Sequence, residues 1–207
     1  IMESPRILSI QSHTVHGYVG NKSAVFPLQT LGFDVDFINS VQFSNHTGYP
    51  TWKGESIDGD KLWDLIEGLK ANDLIHYTHL LTGYVRSPAM LRTILKTLEE
   101  MRRVNPNVVF VCDPVMGDDG NLYVPQELVP IYREEVLPRA TILTPNQFEA
   151  ELLTGIAIRS EVDALSAIDR LHELGVPCVV LTSTAYGDAG VINLLASRVS
   201  PPPAAPA

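Results

Sequence analysis

The sequence predicts an α/β domain in which helices cover both faces of a mostly parallel sheet. Short apolar or β-branched runs alternate with longer amphipathic runs along the chain, and this alternation is typical of α/β proteins. Most of the short runs are apolar throughout, as in parallel strands that are buried on both faces. The chain has 207 residues, of which 45% are hydrophobic, and this is enough for one sizeable core.

Seven short runs are predicted to be strands. The first six are followed by polar residues and alternate with helical runs, so we expect them to pair in parallel. The seventh lies near the end of the printed sequence. The predicted strands are Ile7–Ile10, Asp34–Ile38, His79–Thr82, Val108–Cys112, Ala140–Leu143, Cys178–Thr182 and Val191–Ala196.

Six longer runs are predicted to be helices. The third has the clearest pattern, because its apolar residues recur at three- and four-residue steps from Met90 to Met101. Pro88 suits its first turn, and the pair Asn105-Pro106 ends it. The predicted helices are Asn21–Leu31, Asp60–Ala71, Pro88–Val104, Pro125–Val136, Gln147–Leu153 and Glu161–Leu174.

The stretch Ser40–Gly59 fits neither pattern. It is rich in Ser, Asn, His, Thr and Gly and carries Phe43, Tyr49 and Trp52. A long polar and aromatic connection in a compact domain is usually a lid, a binding loop or an interface flap. A surface loop without a function is the alternative interpretation.

Composition argues against several classes of protein. The chain has 15 Lys and Arg against 24 Asp and Glu, for a net charge of −9, whereas nucleic acids and anionic membranes bind clustered basic residues. No apolar run approaches the roughly 18 residues of a membrane-spanning helix, and no secretory signal is evident. Cys112 and Cys178 lie in apolar runs and are expected to be buried, reduced thiols. We therefore expect a cytosolic protein without a nucleic-acid or membrane partner.

Carboxylates follow two of the predicted strands. Asp113 and Asp118 come after the fourth strand, and Glu149 comes after the fifth. Ligands of open parallel sheets bind beyond the carboxyl ends of the strands, so these side chains should converge. Three grouped carboxylates repel one another unless a cation lies among them, and Mg2+ prefers such oxygen ligands together with phosphate. This favours a metal and phosphate site over a purely structural role.

The usual nucleotide and hydrolase motifs are missing from the sequence. The segment Gly17–Lys22 is glycine-rich but has neither the spacing of a P-loop nor that of a dinucleotide-binding turn. We interpret its glycines as shaping the turn into the first helix. No Gly-x-Ser-x-Gly elbow occurs, which argues against a hydrolase.

Six segments together resemble the pyridoxal kinases of the ribokinase-like superfamily, over about residues 6–195. The Asp-Pro-Val and Thr-Pro-Asn-x-x-Glu pieces occur across the superfamily, whereas the stretch Ser40–Tyr49 is much more specific to this family. The segments are Ser9–His13, Gly17–Asn21, Asn39–Tyr49, Leu81–Tyr84, Cys112–Asp118 and Thr144–Glu151.

The resemblance implies a ribokinase-like three-layer fold and ATP-dependent phosphorylation of the 5′-hydroxyl of pyridoxal, pyridoxine and pyridoxamine. It also implies a divalent cation such as Mg2+, a monovalent cation such as K+, and a homodimer. By similarity, the vitamin pocket consists of Ser12, Val19, Val41, Phe43, Thr47 and Tyr84. The nucleotide set is Asp118, Tyr123, Asn146, Glu149, Thr182 and Ser183, and the metal set is Asp113, Asp118, Thr144 and Glu149.

The sequence departs from the family pattern near its end. The family's Gly-Thr-Gly-Asp segment, whose Asp acts as the catalytic base, has no clear counterpart, and Tyr186–Gly190 is interpreted as a hairpin turn. We therefore assign no catalytic residue. The expected domain covers residues 1–198 and lacks the C-terminal elements of the fold, with a disordered Pro/Ala-rich tail at residues 199–207 and marginal stability.

Three functions remain open at this point. The first is a working pyridoxal kinase. The second is a non-catalytic chain that binds pyridoxal without turnover, which the missing Gly-x-Gly-Asp segment would explain. The third is a kinase for another heterocycle such as hydroxymethylpyrimidine, and the stretch Ser40–Tyr49 counts against it.

Overall fold

A computed structural model describes residues 5–186 and 191–199 of the chain. The strands are β1 (Arg6–Thr14), β2 (Asp34–Phe43), β3 (Gly54–Ser56), β4 (His79–Thr82), β5 (Val109–Cys112), β6 (Gly117–Asp118), β7 (Asn121–Leu122), β8 (Ile142–Leu143), β9 (Cys178–Thr184) and β10 (Asn193–Arg198). The helices are α1 (Asn21–Thr30), α2 (Gly59–Ala71), α3 (Pro88–Val104), α4 (Leu128–Ile131), α5 (Gln147–Thr154) and α6 (Glu161–Glu173).

Eight of these strands form one sheet in the order β10-β9-β8-β5-β4-β1-β2-β3. The six inner strands pair in parallel, and the edge strands β3 and β10 are antiparallel to their neighbours. The chain passes from β1 to β2 in one direction and from β4 to β9 in the other. Right-handed connections therefore place α1 on one face and the later helices on the opposite face. The predicted fold class is confirmed.

The main core lies between the sheet and the later helices. Leu80, Phe110, Leu143 and Leu181, one from each of four adjacent parallel strands, have no exposed surface. They belong to one apolar cluster with the α3 residues from Met90 to Met101. The helical stripe seen in the sequence is thus the surface that α3 buries.

The prediction that Ser40–Gly59 is irregular is wrong at both ends of this stretch. Its first four residues complete β2, and Gly54–Ser56 forms β3 against the end of β2, so only residues 44–53 form the connecting loop. Gly54 has a φ of 142°, and a side chain there would overlap the carbonyl oxygen of Gln42. This close approach requires glycine and allows the short strand to pair.

The fourth predicted helix, Pro125–Val136, is also corrected. Regular α-helix covers Leu128–Ile131, followed by a π-helical turn to Val136 and a 3-10 turn over Leu137–Arg139. Pro130 and Pro138 lie in this segment, and each lacks the N–H donor that a continuous α-helix needs.

The remaining predicted elements agree with the structure apart from shifts of a few residues at their ends. The largest differences are that β1 and β2 are longer than predicted, that β8 has only two residues, and that β10 begins and ends two residues later than the predicted seventh strand.

Cys112 is buried and Cys178 half-buried, and both are free thiols. In the part of the chain that the structure describes, no helix is long and apolar enough to cross a membrane. The predicted tail lies outside the described residues, apart from Val199.

Candidate active site

A cavity of about 260 Å³ opens at the carboxyl ends of the parallel strands β5, β8 and β9. It collects seven of the residues predicted to bind nucleotide or metal, and they come from four separate parts of the sequence. Two further lining residues, Val115 and Gly117, were not predicted, although they belong to the Cys112–Asp118 segment. The seven predicted residues are Asp113, Asp118, Tyr123, Thr144, Asn146, Glu149 and Thr182.

Backbone hydrogen bonds that continue the sheet hold the residues at these strand ends. The N–H of Asp113 donates to the carbonyl of Thr82 at 2.9 Å, and the N–H of Thr144 donates to that of Cys112 at 3.0 Å. Thr182 donates in the same way to Pro145 at 2.9 Å. Each predicted side chain is therefore placed by the rigid sheet rather than by a free loop.

Glu149 and Asn146 form a capping box at the start of α5. The Asn146 side chain accepts the N–H of Glu149 at 2.9 Å, and a Glu149 carboxylate oxygen accepts the N–H of Asn146 at 2.9 Å. The other oxygen of Glu149 accepts the N–H of Met116 at 2.9 Å. The Asn146 amide also donates to the carbonyl oxygen of Gly117 at 2.8 Å. These bonds fix the segment after β5 against α5, which fixes two walls of the cavity.

The cavity carries unbalanced negative charge. Burial, with a smaller effect of the nearby Asp113 carboxylate, raises the pKa of Glu149 to about 7, although the backbone N–H groups of Asn146 and Met116 lower it. Burial likewise raises the pKa of Asp113 to about 6. Among the described lining residues there is no Lys or Arg, so the ionised forms have no basic partner in the cavity. Such a site attracts a cation and would repel an unaccompanied nucleotide phosphate.

The three carboxylates share the cavity without forming a closed ligand set. Within the described ranges, no group of three acidic, His or Cys side chains is close enough to hold a metal ion. Asp118 lies exposed at the cavity rim, in the ribbon of β6 and β7, whereas Glu149 is 3% exposed. A cation here would take part of its coordination from water or from a bound phosphate, as Mg2+ does in nucleotide sites.

The six residues predicted for the vitamin pocket do not line this cavity. Four of them lie at the extension of β1 and β2, beyond the residues of β1 that pair with β4. Ser12 pairs with Val41, and Phe43 follows on the same face of β2. The hydroxyl of Ser40 donates to the carbonyl oxygen of Tyr84 at 3.0 Å, which brings the end of β4 to the same place.

Val19 and Thr47 are the remaining members of that set. Val19 lies next to Gly20, whose Cα is so close to the Ser12 backbone that a side chain at Gly20 would overlap the Ser12 carbonyl oxygen. Thr47 lies exposed in the loop between β2 and β3. In the same loop, the Trp52 ring packs on Phe43 with ring centroids 4.5 Å apart. This aromatic contact was not predicted.

Two other sequence predictions have different outcomes. Ser183 follows Thr182 in β9 but does not line the cavity. The segment Tyr186–Gly190, interpreted as a hairpin turn, lies outside the described residues after its first member, although β9 and β10 on either side pair in antiparallel fashion.

A larger cavity of about 620 Å³ lies between β2 and α2, and none of the predicted site residues lines it. Its walls are mainly aliphatic and include Leu65, Leu69 and Leu74. It lies away from the strand ends that carry the carboxylates, so its size alone does not make it the active site.

Comparisons with known proteins match this chain to kinases of small molecules. The family model described as phosphomethylpyrimidine kinase matches residues 71–200. A pyridoxal kinase of Arabidopsis thaliana is 63% identical over 95% of this chain and 63% of its own length, and one of Sus scrofa is 56% identical over 86% and 57%. The chain thus spans about three fifths of the length of these curated relatives.

Solved structures give the same result. The pyridoxal kinase of Leishmania donovani in complex with ADP and pyridoxamine superposes with a TM-score of 0.88 at 45% identity, over 93% of this chain and 69% of that one. The pyridoxal kinase of Trypanosoma brucei superposes with a TM-score of 0.87 at 39% identity, over 99% and 71%.

Proposed function

Since the chain belongs to the pyridoxal kinase family, we propose that the protein transfers the γ-phosphoryl group of ATP to the 5′-hydroxyl of pyridoxal, pyridoxine and pyridoxamine. The observation that carries this proposal is the acidic cavity, which gathers residues from four sequence segments at the carboxyl ends of β5, β8 and β9. A pyridoxal kinase of this fold is known with ADP and pyridoxamine.

In this proposal the acidic cavity holds the phosphates and the cations. Asp118 and Glu149 face a divalent cation such as Mg2+, and Asp113 and Thr144 face a monovalent cation such as K+. The oxygen donors of these residues and the missing basic partner among the described lining residues support this assignment. A divalent cation, when bound, neutralises charge on the transferring phosphoryl group. Asn146, Tyr123, Thr182 and Ser183 complete the proposed nucleotide set.

The vitamin ring is proposed to bind against the β1–β2 extension. Val41 and Phe43 are 2% and 5% exposed and form an apolar wall, and Ser12 on the same face offers a hydroxyl. Val19, Thr47 and Tyr84 complete the pocket. A mainly apolar pocket with few polar groups suits a substituted pyridine. We assign no general base to this chain.

Three further assignments are part of the proposal. The domain extends through Arg198, where β10 ends. The protein acts in the cytosol, which its two free thiols support. It forms a homodimer, and exposed apolar residues such as Phe26, Leu31 and Phe37 support an interface between copies.

The test is the formation of pyridoxal 5′-phosphate by the purified chain with pyridoxal, MgATP and KCl. The double variant Asp113→Asn, Glu149→Gln serves as the inactive control. We expect product well above that control, and hydroxymethylpyrimidine should be a poor alternative substrate. Pyridoxal binding without product would support a binding-only chain, and preferential phosphorylation of hydroxymethylpyrimidine would reassign the substrate.

A further inference from the structure

A buried amide at the start of α1 joins β1 to β2. Asn21 is 1% exposed. Its Nδ2 donates to the carbonyl oxygen of Ile38 at 2.9 Å, to that of Gln11 at 3.3 Å and to Asn39 Oδ1 at 2.9 Å. Its Oδ1 accepts the hydroxyl of Ser9 at 2.7 Å. A backbone carbonyl can only accept, so these partners fix the orientation of the amide.

The pairing of β1 with β2 is irregular at the same place. The register passes from the pair Gln11–Asn39 directly to the pair Ser12–Val41, and Ser40 is the extra residue of a β-bulge. Successive residues of a strand point to opposite faces, so one extra residue exchanges the faces of all that follow. Without the bulge, Ser40 would lie beside Ser12, and Val41 would point to the other face.

We propose that Asn21 is a positioning residue for the vitamin pocket: it holds the bulge at Ser40 and thereby the face on which Val41 and Phe43 lie beside Ser12. The ligand named in this inference rests on the proposed function, whereas the contacts of Asn21 do not depend on it. A bulge interrupts the hydrogen bonding of the two strands. The Asn21 amide supplies donors to both strands at that point.

The start of α1 also touches the pocket directly. Gly20 precedes Asn21 with a φ of 48° and lies against the Ser12 backbone, where a side chain would overlap the Ser12 carbonyl oxygen. A shift of Asn21 would therefore move Gly20 and, before it, Val19. None of the partners of Asn21 lines the acidic cavity, so the effect should be specific to the vitamin side of the site.

The central variant is Asn21→Asp, which keeps the shape of the side chain and replaces the donor with a buried carboxylate. Ser9→Ala is a milder variant, because it removes the hydroxyl that orients the amide. Asn105→Asp is the matched control, because the Asn105 amide also donates to a backbone carbonyl, that of Tyr77, at 3.2 Å. Asn105 lies just before β5, at the opposite end of the sheet from the pocket.

Two readouts test the inference on the full chain. The first is the equilibrium affinity for pyridoxal and for ADP, and the second is amide hydrogen exchange over residues 38–43. For Asn21→Asp we expect pyridoxal affinity to fall about tenfold, ADP affinity to change less than about twofold, and exchange at the bulge to accelerate. Ser9→Ala should act in the same direction more weakly, and Asn105→Asp should lower the Tm without either effect.

The outcomes separate this inference from the proposed function. Unchanged exchange at the bulge in Asn21→Asp would overturn the positioning role whatever the ligand. Equal losses of pyridoxal and ADP affinity, or the same losses in Asn105→Asp, would show a general structural role and overturn it as well. If the unmodified chain bound no pyridoxal, the proposed function would fail, while hydrogen exchange would still decide whether Asn21 holds the bulge.

Discussion

A carboxylate oxygen of Glu149 accepts the backbone N–H of Met116 at 2.9 Å, and this bond helps to join α5 to the segment that follows β5. The same carboxylate caps its own helix through Asn146. Glu149 is therefore both a structural clamp and part of the acidic cavity. A substitution at this position would change the shape of the site as well as its charge, so stability and ligand binding must be measured together.

We expect the stability of the ligand-free chain to fall as pH rises from about 4.5 to about 7. The folded-state pKa of Glu149 is raised from 4.5 to about 7, so the folded chain binds this proton more tightly than the unfolded chain does. The favourable contribution is complete below the unfolded-state pKa and is lost as Glu149 ionises, at a cost on the order of 3 kcal/mol.

Thermal unfolding across this pH range in wild type and Glu149→Gln measures that contribution. The pKa of Asp113 is raised to about 6, so its ionisation contributes to the slope below about pH 6 in both proteins. The neutral variant should therefore lose the slope mainly between pH 6 and pH 7, and MgCl2 at pH 7.5 should raise the Tm of the wild type more than that of the variant. Parallel curves for the two proteins would contradict this assignment of the slope to Glu149.

We expect Asn146→Ala to weaken nucleotide binding more than it weakens the fold. The substitution removes the helix cap, which costs about 1 kcal/mol, and also removes the bond to the Gly117 carbonyl that shapes the cavity. Ser160→Ala is a matched control, because Ser160 caps α6 by accepting the N–H of Asp163 and does not line the cavity.

Tm and ADP affinity should be measured for both cap variants. Both should show a similar loss of Tm, and only Asn146→Ala should lower ADP affinity, by about tenfold. Equal ADP affinities in the two variants would mean that Asn146 acts as a helix cap alone.

The acidic cavity could be predicted because its residues follow directly from strand order. Asp113 comes immediately after β5, and Glu149 lies in the first turn of α5, which follows β8. Parallel strands bring such positions to one edge. The vitamin side is harder to predict from patterns, since β1 continues into the polar residues Ser12 to Thr14, and Ser40 and Gln42 interrupt the apolar run at the end of β2. Polar residues in these extensions hide the strand pattern.

Other features depend on contacts that no local pattern shows. The bulge at Ser40 is held by Asn21, nineteen positions earlier in the chain, and the pairing of β3 depends on the fit of Gly54 against Gln42. The capping box has a local signature, because Asn146 and Glu149 have the required spacing, but the same Glu149 also fits a metal ligand, and spacing alone does not separate the two roles.

We expect Gly54→Ala to destabilise the chain by about 2 kcal/mol or more. The added methyl group would overlap the Gln42 carbonyl oxygen at a backbone conformation that disfavours side chains. Gly68→Ala is the matched control, because Gly68 lies within α2 with open space around its Cα, and there alanine should stabilise by about 0.5–1 kcal/mol.

Denaturant unfolding of the two glycine variants gives the comparison. Opposite signs for the change in the free energy of unfolding would support the close pairing of β3 with β2. A small effect at Gly54 would show that β3 can detach without cost, and Phe43 would then lack the fixed backbone that the vitamin pocket needs.

We expect Trp52 to report pyridoxal binding through its fluorescence. The Trp52 ring packs on Phe43 at 4.5 Å between centroids and is 38% exposed, so a ligand against the Phe43 wall changes its surroundings. The other tryptophan, Trp63, lies on α2 beneath the ammonium group of Lys96, 3.3 Å from the ring centroid. Trp63→Phe should therefore keep the change in emission when pyridoxal is added, and Trp52→Phe should abolish it. ADP should leave the emission of Trp52 nearly unchanged, because Trp52 does not line the acidic cavity. A pyridoxal response that survives in Trp52→Phe and disappears in Trp63→Phe would place the vitamin near α2, and the wall formed by Val41 and Phe43 would no longer be its binding site.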